Sequence, residues 1–462
     1  MRTHILRHSV TLVTLMVCMG IFAQTTQWKD MYKVKKRDTV FSIAKDNGLT
    51  VDELIAANPD MKMQGYELKK GDYIFIPYPK NTSTGEVARS NTPRSTASTT
   101  ETTSRMGERR FAERINVGVM LPLHDMDGDG KRMVEYYRGM LLAFNQLKET
   151  GLDINVYAWN VGADADIRQT LLDDNAKKCD VIFGPLYSKQ VKYLGDFCQR
   201  NSIKMVIPFS ISGNETAKNP QIYQVYQSSQ EINEATIRHF VERFQGFHPV
   251  FIDCNDTTSR KGNFTFGLRK QLEAKGISYN ITNLNSSENI FLKSFSRTQP
   301  NMVILNTGRS PELTVSLTKL DGIRTLVPGI KISLFGYTEW LMYTNHNLEN
   351  FFKYDTYIPT TFYYNPLSED TKLIEQRYRW SFHADMLNAL PRFAIVGYDQ
   401  AMYFMKGLQQ YGNGFIGTKT QTVGNSIQTP YHFVKAGSGG YLNKSFMLVH
   451  YKPNRSIETI NY

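Results

Sequence analysis

The chain has only four cysteines among 462 residues, which excludes a small fold held together by many disulfide bonds. The spacing of Cys18, Cys179, Cys198 and Cys254 matches no zinc-binding pattern. Cys179 precedes a predicted strand and Cys198 lies on the helix that follows it, so a disulfide would require these two elements to approach closely. Three buried thiols are the alternative that the sequence favours.

Long apolar runs are also scarce. After the N-terminus, no segment approaches the roughly 18 uninterrupted apolar residues that suggest a membrane span. Residues 10–22 form a shorter apolar run after Arg2 and Arg7, and Ala23 precedes a predicted cleavage site. The pattern predicts an export signal over residues 1–23, no transmembrane segment, and a soluble protein in the periplasm or cell envelope.

Dense basic surfaces and catalytic motifs are missing as well. Lys and Arg number 54 against 43 Asp and Glu, a formal net charge of +11, but the basic residues are spread along the chain. This excludes nucleic acid as a partner. The sequence contains no His-Glu-x-x-His or Gly-x-Ser-x-Gly motif, and its histidines lie next to no cysteine. We therefore predict a non-enzyme with no metal and no cofactor.

The first feature that is present is a compact segment at residues 32–78. Residues 32–35 and 73–77 have the alternation of short strands. Between them lie two short amphipathic stretches, each preceded by a residue that caps helices well, Thr39 and Thr50. The predicted order is strand, helix, helix, strand.

This order, with the stretches DTVFSIA, LTVDELIAANP and LKKGDYIFIP, resembles the LysM family. Members bind glycans that contain N-acetylglucosamine, such as peptidoglycan, in a shallow groove between the loop after the first strand and the loop after the second helix. The resemblance implies a LysM domain over residues 28–79 that binds peptidoglycan. The implied contact residues are Arg37, Asp38, Thr39, Val40, Phe41, Asn58, Pro59, Asp60 and Met61.

Two observations qualify that implication. Many family members have glycine where Arg37 stands, which leaves the sugar preference open. Phe41 and Ile43 also fit the apolar core of the first helix, and Pro59 fits a helix stop. Residues 80–114 are rich in Ser and Thr with few apolar residues, which predicts a flexible linker.

From residue 115 the pattern changes to alternating buried strands and amphipathic helices. The apolar runs that predict strands are residues 117–121, 181–183, 205–207, 250–252 and 302–305. Longer segments such as residues 136–148 and 231–244 predict the helices between them. The sequence thus predicts an α/β fold with parallel sheets, and its length fits two lobes over residues 115–462.

The stretches INVGVMLPL, DVIFGPLYSKQV, IKMVIPFSIS and FAIVGYDQAMYFM, in this order, resemble type I periplasmic binding proteins of the branched-chain amino-acid class. That resemblance implies two lobes hinged around a small ligand, held by polar groups at the carboxyl ends of strands. Ser188, Ser210 and Ser212 match positions that bind a ligand carboxylate, with helix capping as the alternative for Ser188. Glu312 matches the acid that pairs with a ligand ammonium if one residue is inserted, and it also fits an ordinary helix start.

Two further segments are not assigned to a ligand or metal site. Tyr398 and Asp399, in VGYDQA, match a place that is more often structural than in contact with ligand. Residues 124–130 place carboxylates two apart before a glycine, like the first half of a calcium loop, but Tyr136 stands where the loop needs a bidentate acid. We interpret this segment as a polar loop at the rim of the cleft.

The leading functional hypothesis is a non-catalytic envelope protein that binds peptidoglycan and captures or senses a small solute, an amino acid or a wall fragment. The alternative is a scaffold that activates a peptidoglycan synthase through the same fold, since proteins of that kind share it. The aromatic residues over 354–364 and the long tail after Thr418 favour that alternative slightly. A cell-wall hydrolase, using a cysteine and a distant histidine, is the weakest alternative.

Overall fold

The computed structural model describes residues 28–36, 38–58, 61, 68–70, 73–77, 114–209, 213–256, 258 and 261–462. The predicted signal at 1–23 and almost all of the predicted linker at 80–114 lie outside these ranges. The described residues fall into two compact units, one within Met1–Ser104 and the other within Arg105–Tyr462. Among the helices in these ranges, none combines the length and apolar character needed to cross a bilayer.

The small unit has the predicted order of strand, helix, helix and strand. Its elements are β1 (Trp28–Lys33), α1 (Val40–Asp46), α2 (Val51–Ala57) and β2 (Tyr73–Pro77). The two strands pair antiparallel. Thr39 and Thr50 begin the helices, each with its hydroxyl and the third helical side chain bonded reciprocally to the backbone, as predicted from their capping chemistry. The first strand begins four residues earlier than the alternation indicated.

A small apolar core holds the small unit together. Its buried members are Val34, Ile43, Ala44, Leu49, Leu54, Ile74 and Ile76. They come from the residue just after β1, from both helices and the turn between them, and from β2, so segments far apart in sequence share one core. Gly48, at φ +69°, follows the first helix in the left-handed region that glycine tolerates.

The large unit is α/β, as predicted. Its strands are β3 (Arg114–Leu121), β4 (Asp153–Asn160), β5 (Val181–Phe183), β6 (Lys204–Ile207), β7 (Ile222–Gln224), β8 (His248–Asp253), β9 (Asn280–Asn283), β10 (Asn301–Leu305), β11 (Ile332–Phe335), β12 (Thr356–Thr360), β13 (Phe433–Lys435), β14 (Tyr441–Asn443), β15 (Met447–Tyr451) and β16 (Ile457–Asn461). Its helices are α3 (Gly128–Glu149), α4 (Ile167–Thr170), α5 (Ser188–Asn201), α6 (Ser229–Arg243), α7 (Gly262–Ala274), α8 (Glu288–Lys293), α9 (Ser310–Leu326), α10 (Thr344–Lys353), α11 (Glu369–Phe382) and α12 (Phe393–Tyr411).

These elements form two lobes, each built on a seven-stranded sheet. The first sheet has the order β13-β14-β7-β6-β5-β3-β4 and the second has the order β16-β15-β12-β11-β10-β8-β9. Neighbouring strands are parallel except in the pairs β13–β14, β12–β15 and β15–β16. The central strands are buried over nearly their full length, as expected when helices cover both faces of a parallel sheet.

Two glycines allow the longest helices of the first lobe to approach each other closely. A Cβ added to Gly139 on α3 would lie 1.8 Å from the carbonyl oxygen of Ala394, and one added to Gly397 on α12 would lie 1.9 Å from that of Tyr136. Any side chain at either position would force the helices apart. The VGYDQA segment therefore serves helix packing, consistent with the structural interpretation of its neighbours.

Three segments connect the lobes, namely residues 225–228, 361–368 and 444–446. Asp399 on α12 fixes the loop that lies beside them. Its buried carboxylate accepts hydrogen bonds from the backbone N–H groups of Ile427, Gln428 and Thr429, at 2.8, 2.8 and 3.0 Å. Burial raises the pKa of Asp399 to about 7, although these three donors favour its charged form. The acid predicted to be structural thus holds a loop that is bonded to one connecting segment, because the Gln428 carbonyl accepts a hydrogen bond from the Tyr363 backbone N–H at 2.9 Å.

The aromatic segment and the tail are parts of the sheets. Tyr354 and Tyr357 are buried in the core of the second lobe. The tail after Thr418 supplies β13 and β14 to the first sheet and β15 and β16 to the second. These features complete the fold, so they no longer favour a scaffold over a solute-binding protein.

Candidate ligand-binding sites

The loop after β1 is held by two of the predicted glycan-contact residues. The Asp38 carboxylate accepts hydrogen bonds from the Tyr32 hydroxyl at 2.8 Å and the Lys35 backbone N–H at 2.7 Å. The bond to Asp38 raises the pKa of Tyr32. The Thr39 hydroxyl accepts from the Ser42 backbone N–H at 3.1 Å. Both side chains therefore fix the shape of this loop, whatever else they contact.

Phe41 differs from its neighbours on the first helix. Its side chain is 67% exposed, whereas Ile43, two residues later, is 2% exposed. The interpretation of both as core residues is correct for Ile43 and wrong for Phe41. Val40 is half-buried and packs against the core. Among the predicted contact residues that the structure describes, Phe41 is the one with a large exposed apolar side chain.

At the end of the second helix, Asn58 is only 2% exposed and donates its amide to the Leu54 carbonyl at 2.7 Å. Met61 packs partly against the apolar core. Both residues therefore hold the loop after the second helix against the rest of the small unit. Arg37, Pro59 and Asp60 lie outside the described residues.

In the first lobe, Ser188 is an exposed residue just past the carboxyl end of β5. It is the first residue of α5, which Tyr187 precedes, so it does not occupy the capping position itself. The other two predicted serines, Ser210 and Ser212, lie outside the described residues. At the adjoining end of β6, the Phe209 ring packs edge-on against Tyr136, with ring centres 5.4 Å apart. This part of the edge is aromatic as well as polar.

In the second lobe, Glu312 lies in the first turn of α9, just past the carboxyl end of β10. Its Oε1 is 3.6 Å from Nη1 of Arg309. Its Oε2 is buried and has no hydrogen-bond partner among the described residues. The helix-start interpretation is correct, and the carboxylate also retains binding capacity that the described part of the fold does not use.

Asp256 lies beside Glu312, past the carboxyl end of β8. Its carboxylate, 1% exposed, accepts hydrogen bonds from the Thr307 hydroxyl at 2.6 Å and from the Thr258 backbone N–H at 2.8 Å. Arg309 approaches it at 3.9 Å. Arg309 thus stands between two carboxylates at this edge of the sheet.

A second ion pair completes the edge. Nζ of Lys261 is 2.5 Å from Oε1 of Glu339 and lies 4.7 Å from the centre of the Tyr337 ring. Gly308 brings this pair next to Arg309, since a Cβ added to that glycine would lie 3.2 Å from Cε of Lys261 and 3.4 Å from Cδ of Glu339. We call Asp256, Lys261, Arg309, Glu312 and Glu339 the strand-end cluster. Its three carboxylates exceed its two cations by one charge.

Of the residues in this cluster, only Glu312 was predicted from the sequence to contact a ligand. Asp256 and Glu339 follow buried strands within a few residues, which is where open parallel sheets bind ligands. That rule would have found both acids. Lys261 and Arg309 carry no such signal, because cations are common at loop ends. Ser188 and Glu312 lie in different lobes, each just past the end of a parallel strand.

The three described cysteines, Cys179, Cys198 and Cys254, are buried and form no disulfide with one another. Burial raises the pKa of Cys179 and of Cys254 to about 12, and it raises that of Cys198 as well. These thiols stay protonated at neutral pH, which is the opposite of what a nucleophilic cysteine requires.

The acidic segment over residues 124–130 begins a helix. Asp127 caps α3, accepting a hydrogen bond from the Gly130 backbone N–H at 2.7 Å. Among the described residues, no group of three or more His, Cys, Asp or Glu side chains is arranged to hold a metal ion.

Comparison with known proteins separates the two units. Residues 32–77 match the LysM domain family. These residues form a LysM domain. No curated protein is significantly similar in sequence to the chain.

The large unit is similar to solved structures of solute-binding proteins. A branched-chain amino acid ABC transporter protein from Rhodospirillum rubrum is 12% identical with a TM-score of 0.50, over 75% of this chain and 99% of that chain. A substrate-binding protein from Desulfitobacterium hafniense, in complex with Leu, is 16% identical with a TM-score of 0.39, over 75% of this chain and 100% of that chain. A branched-chain amino acid periplasmic ligand-binding protein from Burkholderia xenovorans is 13% identical with a TM-score of 0.43, over 75% and 94% of the two chains. The large unit has the two-lobed fold of a type I periplasmic binding protein.

Proposed function

We propose that this protein is a non-catalytic component of the cell envelope that binds peptidoglycan through its LysM domain. The observation that carries the proposal is the LysM match over residues 32–77, which includes nearly all the described residues of the small unit. Phe41 supports it, because a large exposed apolar side chain next to a polar loop suits the ring face and acetamido group of an amino sugar. Binding to peptidoglycan requires export to the cell envelope, and we propose the periplasm as the location.

We further propose that the large unit captures or senses a small solute that carries a cationic group, such as an amino acid or a peptide fragment of the wall. The strand-end cluster supports this, since its carboxylates outnumber its cations. Glu312 in particular holds a buried oxygen that no described residue satisfies, and an ammonium group would supply the missing donor. Ser188 on the facing lobe is the proposed contact for the ligand carboxylate.

A thermal-shift screen of the full chain against L-amino acids and peptidoglycan stem peptides tests solute capture. A ligand present at about 100 times its dissociation constant stabilises the folded state by about 2.7 kcal/mol, which is a readily measured increase in Tm. We expect Glu312→Gln to abolish that increase. Glu234→Gln, which alters an exposed glutamate on α6 bonded to Gln230, is the matched control and should preserve it.

Because Glu312 holds an unsatisfied buried oxygen, its replacement should not destabilise the ligand-free protein. We expect its free energy of unfolding to stay equal or rise by up to about 1 kcal/mol. A screen in which no solute raises Tm would contradict solute capture. If a peptidoglycan synthase were then retained by the immobilised chain, the scaffold alternative would replace it.

Sedimentation with purified sacculi tests peptidoglycan binding separately. The full chain should sediment with the insoluble wall, and deletion of residues 28–79 should leave it in the supernatant. Wall digestion by the purified chain in a zymogram would instead restore the hydrolase alternative.

A further inference from the structure

A cavity of about 420 Å³ lies beside the segments that connect the two lobes. It is bounded by residues 361–368, by the loop at 424–431 and by the hairpin of β15 and β16. Its volume is within the range of about 300–1,000 Å³ that is typical of small-molecule sites. It shares no residue with the strand-end cluster or with Ser188, so it is a separate site.

The cavity has no charged wall. Among its described lining side chains there is no Asp, Glu, Lys, Arg or His. The nearest buried acid, Asp399, directs its carboxylate to the backbone N–H groups of the 424–431 loop and so holds that loop in place. No lining side chain offers a counter-charge to an ionised ligand, so placing a charge against these walls would be unfavourable. The walls therefore select an uncharged ligand.

Hydrogen-bonding capacity is nevertheless abundant. Three lining groups are already engaged. The Gln428 carboxamide bonds to the Arg392 backbone, the Tyr403 hydroxyl donates to the Gly417 carbonyl, and the Asn365 carboxamide accepts from the Leu367 backbone N–H. Five further polar side chains make no hydrogen bond to any described residue. They are Ser368, Asn425, Ser426, Thr459 and Asn461.

These hydroxyls and carboxamides can both donate and accept, which is what a ligand with many hydroxyl or acetamido groups requires. Tyr363, Met447 and Ile457 supply apolar surface between them. We propose that this cavity is a second ligand site that binds an uncharged saccharide. Because its walls include a segment that connects the lobes, an occupant would stabilise one arrangement of that connection over others.

Hydrogen–deuterium exchange on the full chain tests the proposal, with chitotriose as an uncharged probe and its fully deacetylated form as a cationic one. We expect saturating chitotriose to slow exchange by at least about threefold in peptides that cover 361–368 and 424–431. The deacetylated trimer should leave both peptides unchanged. Protection confined to residues 32–77 would support the LysM assignment and overturn the second site. Equal protection by the two probes would also overturn it.

Three variants locate the effect. Ser426→Trp fills the cavity, and Asn461→Ala removes a carboxamide from the edge strand β16. Asn289→Ala removes an exposed carboxamide from α8, outside the cavity, and is the matched control. We expect protection of 424–431 to be lost in the first two variants and kept in the third, while protection within 32–77 is unchanged in all three. If Ser426→Trp fails to fold by circular dichroism, Asn461→Ala decides alone, and retained protection in that variant contradicts the proposal.

Discussion

The two units of this chain differ in whether the side chains proposed to contact a ligand also hold the fold together. In the LysM domain, the side chains of Asp38, Thr39 and Asn58 make hydrogen bonds that fix loops and helix ends. The Phe41 side chain is instead 67% exposed. In the large unit, the strand-end cluster consists of residues that bond to one another and leave only part of their capacity open, as Glu312 does. The proposed contact side chain of the first site therefore has no role in the fold, whereas most polar groups of the second site are already bonded to their neighbours, with Glu312 Oε2 as the exception.

This difference follows from the size of each unit. Among its described residues, the small unit has a core of seven buried apolar side chains, and so small a core offers little stability to offset the cost of a buried charge. The large unit buries two full sheets and can accommodate carboxylates at the strand ends. The variants below distinguish a unit that we propose binds at its surface from one that we propose binds at buried strand ends.

The largest effect is expected from Gly397→Ala, which inserts a Cβ 1.9 Å from the Tyr136 carbonyl oxygen. Separating α3 and α12 should cost about 3 kcal/mol of unfolding free energy in the large unit, measured by urea denaturation. Sedimentation with sacculi should be unchanged, because it depends on the other unit. Gly414→Ala, where a Cβ meets nothing within 4 Å, is the control and should change stability by less than about 0.5 kcal/mol. Loss of sedimentation in Gly397→Ala would show that the units are not independent.

A smaller loss is expected from Asp399→Asn. The amide nitrogen cannot accept a hydrogen bond, so at least one of the three backbone donors at residues 427–429 is left unsatisfied. We expect a cost of about 2 kcal/mol in the free energy of unfolding. Asp174→Asn, at an exposed site 3.5 Å from Lys177, should cost almost nothing. Equal stability of the two variants would mean that Asp399 does not hold this loop in place.

The effect that is smallest at neutral pH concerns His432, whose pKa is lowered to about 4 by burial and by nearby Lys419. A histidine in the unfolded chain has a pKa near 6.5. Between about pH 6.5 and about pH 4, the unfolded chain therefore binds a proton at His432 that the folded chain does not bind. The wild type should therefore lose stability relative to His432→Gln as pH falls from about 6.5 to about 4. The raised pKa of Asp399 acts in the opposite direction over a similar range, but it is common to both chains and cancels in their difference. A difference that does not vary with pH would contradict the lowered pKa.

The sequence was informative where residue type and position are tightly coupled. Capping by Thr39 and Thr50, the left-handed Gly48 and the buried strands at the centre of each sheet follow from local chemistry, and the structure has all of them. The same patterns indicated the family of the small unit and the fold of the large one. The exposure of Phe41 could not be predicted, because an aromatic residue at that helical position fits the core equally well.

What remained hidden depends on contacts between distant segments. Lys261 pairs with Glu339, and Asp256 meets Thr307, across separations in sequence that no local pattern reveals. The role of Asp399 likewise depends on a loop that begins more than twenty residues later. Such contacts require the order of strands in the sheet, which the sequence alone did not supply.

We propose that the LysM domain holds this protein on peptidoglycan through its exposed surface. The affinity of the full chain for purified sacculi is the measurement that tests this proposal. Phe41→Ala should weaken that affinity by about fivefold or more, since loss of a buried aromatic contact costs about 1–2 kcal/mol. Phe266→Ala, which removes a side chain that is 63% exposed on α7 of the large unit, should leave the affinity unchanged. Equal affinity of both variants and the wild type for sacculi would contradict the account.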